Sequence, residues 1–78
     1  MPLASTRRTG LVDQVISQLR AQIDSGEWGV GDRIPTESEL SEQLEVGRNT
    51  VREAVRALAH AGLLEIRQGA GTFVRASS

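Results

Sequence analysis

Three residues, Glu45-Val46-Gly47, are all that separate two short segments that each read as a helix, and so short a connection forces the helices it joins to cross steeply. The earlier segment opens on Thr36-Glu37-Ser38-Glu39, which has the form of a capping box. The Thr36 hydroxyl can accept from the amide of Glu39 while the Glu39 carboxylate returns to the amide of Thr36. Leu40 and Leu44, one turn apart, then supply a buried edge, and the spacing predicts a helix that ends near Glu45. In the later segment Val51, Ala54, Val55 and Leu58 fall on one face at helical spacing, and Gly62 stands where a closing C′ residue belongs. Together they predict a helix-turn-helix.

The rest of the chain supplies what such a pair packs against. Leu11, Val12, Val15, Ile16, Leu19 and Ile23 recur at steps of three and four, predicting a first helix over 11–25 with Gly26 as its cap. Gly29, Gly31 and Pro35 forbid a helix between Glu27 and Pro35 and leave a very short extended piece at Arg33-Ile34. Leu64-Glu65-Ile66 alternates, Gln68-Gly69-Ala70-Gly71 is a turn and Thr72-Phe73-Val74 is β-prone, so 63–75 reads as a hairpin. The expected fold is mostly α with a small β-hairpin, a winged helix-turn-helix over 11–75. Residues 1–10, with Pro2, Gly10 and little apolar content, read as a flexible arm, and 76–78 as a tail.

Composition narrows the chemistry. A chain of 78 residues is at most one small domain, burying only about 60% of the surface it exposes when unfolded, so a large pocket-bearing enzyme is not expected. Without cysteine there is neither a disulfide framework nor a thiolate zinc site, and one histidine cannot provide a metal set; no metal and no cofactor are expected. His60 suits a cation at a helix end better than a catalytic base. The serines and threonines lack a base partner, and the Gly-x-Gly at 69–71 lies between strands rather than before a helix, which removes a nucleotide fingerprint. No apolar run is long enough for a signal-peptide core or a membrane span, so a soluble, cytoplasmic, non-enzymatic protein is expected.

The net charge of −1 conceals two unlike halves. Residues 1–45 set four arginines against eight carboxylates, and residues 46–78 set five arginines against two. Every basic residue is arginine, whose planar fork can hold a phosphate or a guanine edge through two parallel hydrogen bonds. On the later helix Asn49, Arg52, Glu53 and Arg56 point away from the apolar stripe, with Arg48 at its start. In a helix-turn-helix those first residues meet base edges in the major groove of DNA, so Arg48, Asn49, Thr50 and Arg52 are the candidate readers. Arg33, Thr36, Ser38, Arg56 and Arg67 are candidate phosphate contacts, and Gln68 with Gly69 are candidates for a minor groove, where absent side-chain bulk permits close approach. Gly71 is read as a requirement of the tight hairpin alone. Arg7 and Arg8 could reach a groove as an arm, though their setting favours an unstructured tail. The acidic residues of the short helix are expected to face water and repel phosphate. The opposing reading, encouraged by the net acidic charge, is a winged helix that serves as a protein-interaction module.

From Leu11 to Val74 the chain resembles the N-terminal DNA-binding domain of the GntR family of bacterial transcription regulators. The resemblance rests on Gly31-Asp32-Arg33-Ile34-Pro35-Thr36-Glu37-Ser38-Glu39-Leu40, on Val51-Arg52-Glu53-Ala54-Val55-Arg56-Ala57-Leu58, and on Gly62-Leu63-Leu64 running to Gln68-Gly69-Ala70-Gly71-Thr72-Phe73-Val74. It implies binding to a palindromic double-stranded DNA operator as a homodimer, through a C-terminal effector and dimerisation domain that would follow residue 78. It also implies that Arg48, Asn49, Thr50 and Arg52 read the major groove while Gln68 and Gly69 enter the minor groove. Three positions depart from the family pattern. Ser38 stands where arginine is usual, which weakens one contact. Glu45 stands where the turn usually has glycine, at a cost of about 1 kcal/mol or more if the backbone there is left-handed. Gly47 replaces the usual Ser or Thr cap of the third helix. A slightly reshaped turn would displace the reading residues with it.

Overall fold

The computed structural model describes residues 6–77, residues 6–9 by their backbone alone. Its elements are α1 (Thr6–Asp24), α2 (Glu37–Leu44), α3 (Arg48–His60), β1 (Leu64–Arg67) and β2 (Gly71–Val74), which form a winged helix-turn-helix. Helix α1 begins five residues before the expected Leu11, so residues 6–10 are helical and not a flexible arm; residues 1–5 of that arm lie outside the described residues. Apolar periodicity reports burial, and it stops where the helix leaves the core. Once the packed part of α1 is formed, each added residue gains a hydrogen bond without a new nucleation cost, which offsets the cost of Gly10, about 1 kcal/mol.

The helix ends follow local chemistry. Both halves of the capping box are present at Thr36, with Glu39 N–H donating to Thr36 Oγ1 at 3.1 Å and Thr36 N–H to Glu39 Oε1 at 2.8 Å. Helix α3 closes in a Schellman arrangement, in which Gly62 at φ +85 donates to the Ala59 carbonyl and Leu63 to the Leu58 carbonyl, both at 3.0 Å. Between α2 and α3, Glu45 is left-handed, at φ 56 and ψ 45. The chain therefore carries the strain of a non-glycine residue rather than reshaping its turn to avoid it.

Val15, Leu19 and Ile23 of α1 form one wall of the core, closed by Leu40, by Val51, Ala54 and Leu58 of α3, and by Ile34, Leu63, Leu64 and Val74. Trp28 and Leu44 pack against its edge, half-buried. Val55 keeps to the expected stripe: half-buried, it packs against the core and also lines a cleft. Strands β1 and β2 pair antiparallel, with Leu64 opposite Val74, Glu65 opposite Phe73, Ile66 opposite Thr72 and Arg67 opposite Gly71. The extended piece at Arg33-Ile34 adds an antiparallel bridge between Arg33 and Phe73, and Ile34 N–H donates to the Thr72 carbonyl at 2.9 Å. The wing is thereby anchored to the segment that leads into α2, which fixes its position relative to the helix-turn-helix.

Candidate nucleic-acid interface

Helix α3 buries Val51, Ala54 and Leu58, so its opposite face is turned outward at the end nearest the turn. Arg48 and Asn49 are exposed there, Thr50 and Arg52 half-exposed, and Arg56 exposed one turn on. The Arg52 guanidinium is held in place: Nε and Nη2 donate to the two carboxylate oxygens of Glu37 at 2.9 and 2.6 Å, and Nη1 donates to Asn49 Oδ1 at 3.1 Å. Three of its five N–H groups are thus engaged and the others remain available to an outside acceptor. The fork geometry explains why arginine and glutamate, and not lysine, suit these two places.

This pair corrects the expectation that the acids of α2 all face water. Glu37 is half-buried against α3, and its carboxyl is held below the usual 4.5 chiefly by the hydrogen bond from Arg52, which outweighs the opposing effect of burial, with the charges of Arg52, Arg48 and Arg56 adding in the same direction as the hydrogen bond. The same contact raises the Arg52 guanidinium. Glu39 is also lowered, by hydrogen bonds from Thr36, and is spent on the cap. Helix α2 therefore presents less free negative charge beside α3 than its composition suggests. Sequence reasoning missed Glu37; the available signal was a carboxylate at the first position of a helix facing an arginine-bearing one.

Between α2, α3 and the wing lies an open cleft of about 300 Å³ lined by Arg33, Pro35, Thr36, Glu37, Val55, Arg56, Ile66, Gly71 and Thr72, among others. It brings together three of the residues expected to contact phosphate, Arg33, Thr36 and Arg56. The hydroxyl of Thr36 is engaged within the cap, where it accepts from the Glu39 N–H. Ser38 is exposed on the first turn of α2. The guanidinium groups of Arg33, Arg48 and Arg56 have no ion-pair partner among the described residues, in contrast to Arg20, Arg52 and Arg67.

The wing holds its own cation. Arg67 lies over the Phe73 ring, 4.4 Å from its centroid, and Nη2 donates to Glu65 Oε1 at 3.1 Å, so the charge expected beside the hairpin tip is partly satisfied within the wing. Gln68, Gly69 and Ala70 form the exposed tip, closed by Ala70 N–H donating to the Arg67 carbonyl at 3.0 Å. Gly69, at φ +78, occupies the turn position that requires a left-handed residue, and a Cβ there would project into open space. Gly71 does more than shape the hairpin. A Cβ on it would stand 3.0 Å from Arg33 Nε and 3.2 Å from Arg33 Cδ, so the missing side chain makes room for the Arg33 stem. His60 is exposed in the last turn of α3, and the side chains of Arg7 and Arg8 lie outside the described residues.

Two helices crossing through a three-residue turn, the second exposing arginines beside a glycine-tipped hairpin, define a winged helix-turn-helix nucleic-acid-binding domain. Comparison with known proteins places it further. A profile of the bacterial regulatory proteins of the gntR family matches residues 11–74, and the chain belongs to that family, as a DNA-binding domain of its transcription regulators. It is 40% identical over 75 residues to the HTH-type transcriptional regulator Mce2R of Mycobacterium tuberculosis, a match covering 96% of this chain and 31% of that protein. It is 48% identical over 63 residues to the histidine utilization repressor of Pseudomonas putida, covering 81% of this chain and 24% of that one. Among solved structures, the DNA-binding domain of AraR in complex with operator ORX1 superposes with a TM-score of 0.80 at 41% identity, covering 82% of this chain and 77% of that chain. The chain thus spans about a third or less of the length of these curated relatives.

Proposed function

We propose that the chain binds a palindromic operator as a homodimer, with α3 in the major groove and the wing tip, Gln68 and Gly69, at the minor groove. Arg48, Asn49, Thr50 and Arg52 contact base edges, while Arg33, Thr36, Ser38, Arg56 and Arg67 contact phosphate and fix the pose. The protein acts in the cytoplasm and performs no chemical step. The second subunit is brought by a dimerisation domain of the kind for which the greater length of the relatives leaves room. The observation that carries the reading is the Arg52 guanidinium, oriented by Glu37 and Asn49 on the outward face of α3, with Arg48 and Arg56, which have no ion-pair partner among the described residues, one turn before and one turn after it. An arginine already immobilised loses less side-chain entropy on meeting a guanine edge, and the paired Glu37 discourages contacts in other poses.

Selection of bound duplexes from a random library, followed by salt-dependent titration of the recovered sequence, tests it. An inverted repeat is expected. Arg52→Ala should lose about 1–3 kcal/mol and relax selectivity at one position of the half-site, whereas Arg33→Ala should weaken all sequences alike and reduce the salt slope by about 1. Retention of duplex that ignores salt, or an Arg52→Ala variant that binds and selects as the wild type does, would refute this assignment.

A further inference from the structure

Ile66 is apolar, 49% exposed, and on the same strand face as Leu64, which is 1% exposed in the core. The inner face of the wing therefore continues past the core it closes, and Ile66 is the residue left over. A single exposed isoleucine requires no explanation in itself. This one, however, joins half-buried Val55 and Pro35 in lining the cleft between α3 and the wing, which is also lined by Arg33 and Arg56, two arginines without an ion-pair partner among the described residues. The one carboxylate lining it, Glu37, is already spent on Arg52. An apolar patch flanked by cations has the chemistry that complements a sugar-phosphate: the deoxyribose ring offers C–H faces and its phosphates carry the opposite charge. The room, about 300 Å³, suits one such unit and not a stacked base pair.

We propose, resting on the reading above, that this cleft seats one deoxyribose-phosphate of the strand that passes from the major to the minor groove, with Ile66 against the sugar and Arg33 and Arg56 flanking the phosphate. Gly71 belongs to the same device, because its missing side chain leaves the space through which the Arg33 stem runs. The contact is blind to sequence. It fixes the distance between helix and wing along the strand, so that base edges meet α3 and the tip meets the adjacent groove in register.

Hydroxyl-radical cleavage reads the exposure of each deoxyribose, and the probe is a duplex selected from a random library by the wild-type chain. The wild type should protect sugars between the α3 and wing contacts. Ile66→Ala should weaken binding about five- to tenfold, equally for selected and random duplex, with the salt slope unchanged because no charge is removed. It should also lose that internal protection while keeping protection under α3. Ile66→Thr, which keeps the strand preference, should behave in the same direction, and Ile66→Leu should stay within about twofold of wild type. Thermal melts of each variant establish that the fold persists. Wild-type affinity and an unchanged cleavage pattern in both Ile66→Ala and Ile66→Thr would overturn the seat while leaving the operator reading standing. A wild-type chain that protects no sugar on any selected duplex would overturn both.

Discussion

Glu45→Gly should stabilise this domain, and the size of the effect follows from the turn itself. Glu45 is exposed at φ 56 and ψ 45 and cannot relax, because its N–H and that of Val46 both donate to the Ser41 carbonyl, the latter at 3.2 Å. The Ser41 hydroxyl in turn donates to the Val46 carbonyl at 2.7 Å. Left-handed backbone costs a non-glycine residue about 1–2 kcal/mol, and glycine gives back about 0.4–1 kcal/mol through the freer unfolded chain. The net gain is about 0.5–1 kcal/mol, or about 2–8 °C in Tm for a domain of this size. Urea denaturation followed by circular dichroism measures it, with the m-value unchanged. Glu45→Ala is the control: it removes the carboxylate from the unfavourable C-terminal end of α2, worth only a few tenths of a kcal/mol, but keeps the strained dihedral. A glycine variant no more stable than the alanine variant would show that strain at Glu45 is not the cause.

Gly71→Ala should cost about 1–3 kcal/mol, since a side chain at φ +127 is strained and would press on the Arg33 stem; a melt within error of wild type would contradict this. Acid should destabilise through Glu37 and Glu39, whose carboxyls lie below 4.5 in the folded chain, Glu37 through its hydrogen bond from Arg52 and Glu39 through those from Thr36. A depressed carboxyl contributes stability that is present above its unfolded value and lost as pH falls through the folded one, so the loss should fall below about pH 4.5. Glu37→Gln and Glu39→Gln should each flatten that acid limb, which stability curves against pH would reveal; limbs parallel to wild type would contradict the assignment.

The ends of the elements were legible in the sequence because they are settled within a few residues of chain. The capping box at Thr36, the glycines at 26 and 62 and the glycine tip of the hairpin satisfy or redirect backbone groups locally, so they read the same alone as in the fold. The arginine face of α3 was legible too, since helical periodicity separates it from Val51, Ala54 and Leu58. What only the tertiary structure decided is which distant groups meet. Arg52 and Glu37 stand 15 residues apart, and their fork depends on the angle at which the left-handed Glu45 aims α3 across α2. The Arg33 stem over Gly71 and the place of Ile66 at the cleft depend equally on where the wing is anchored. Periodicity marks a face as apolar or polar, but whether that face meets a core, a cleft or another helix is set by the packing of elements that are remote in the chain.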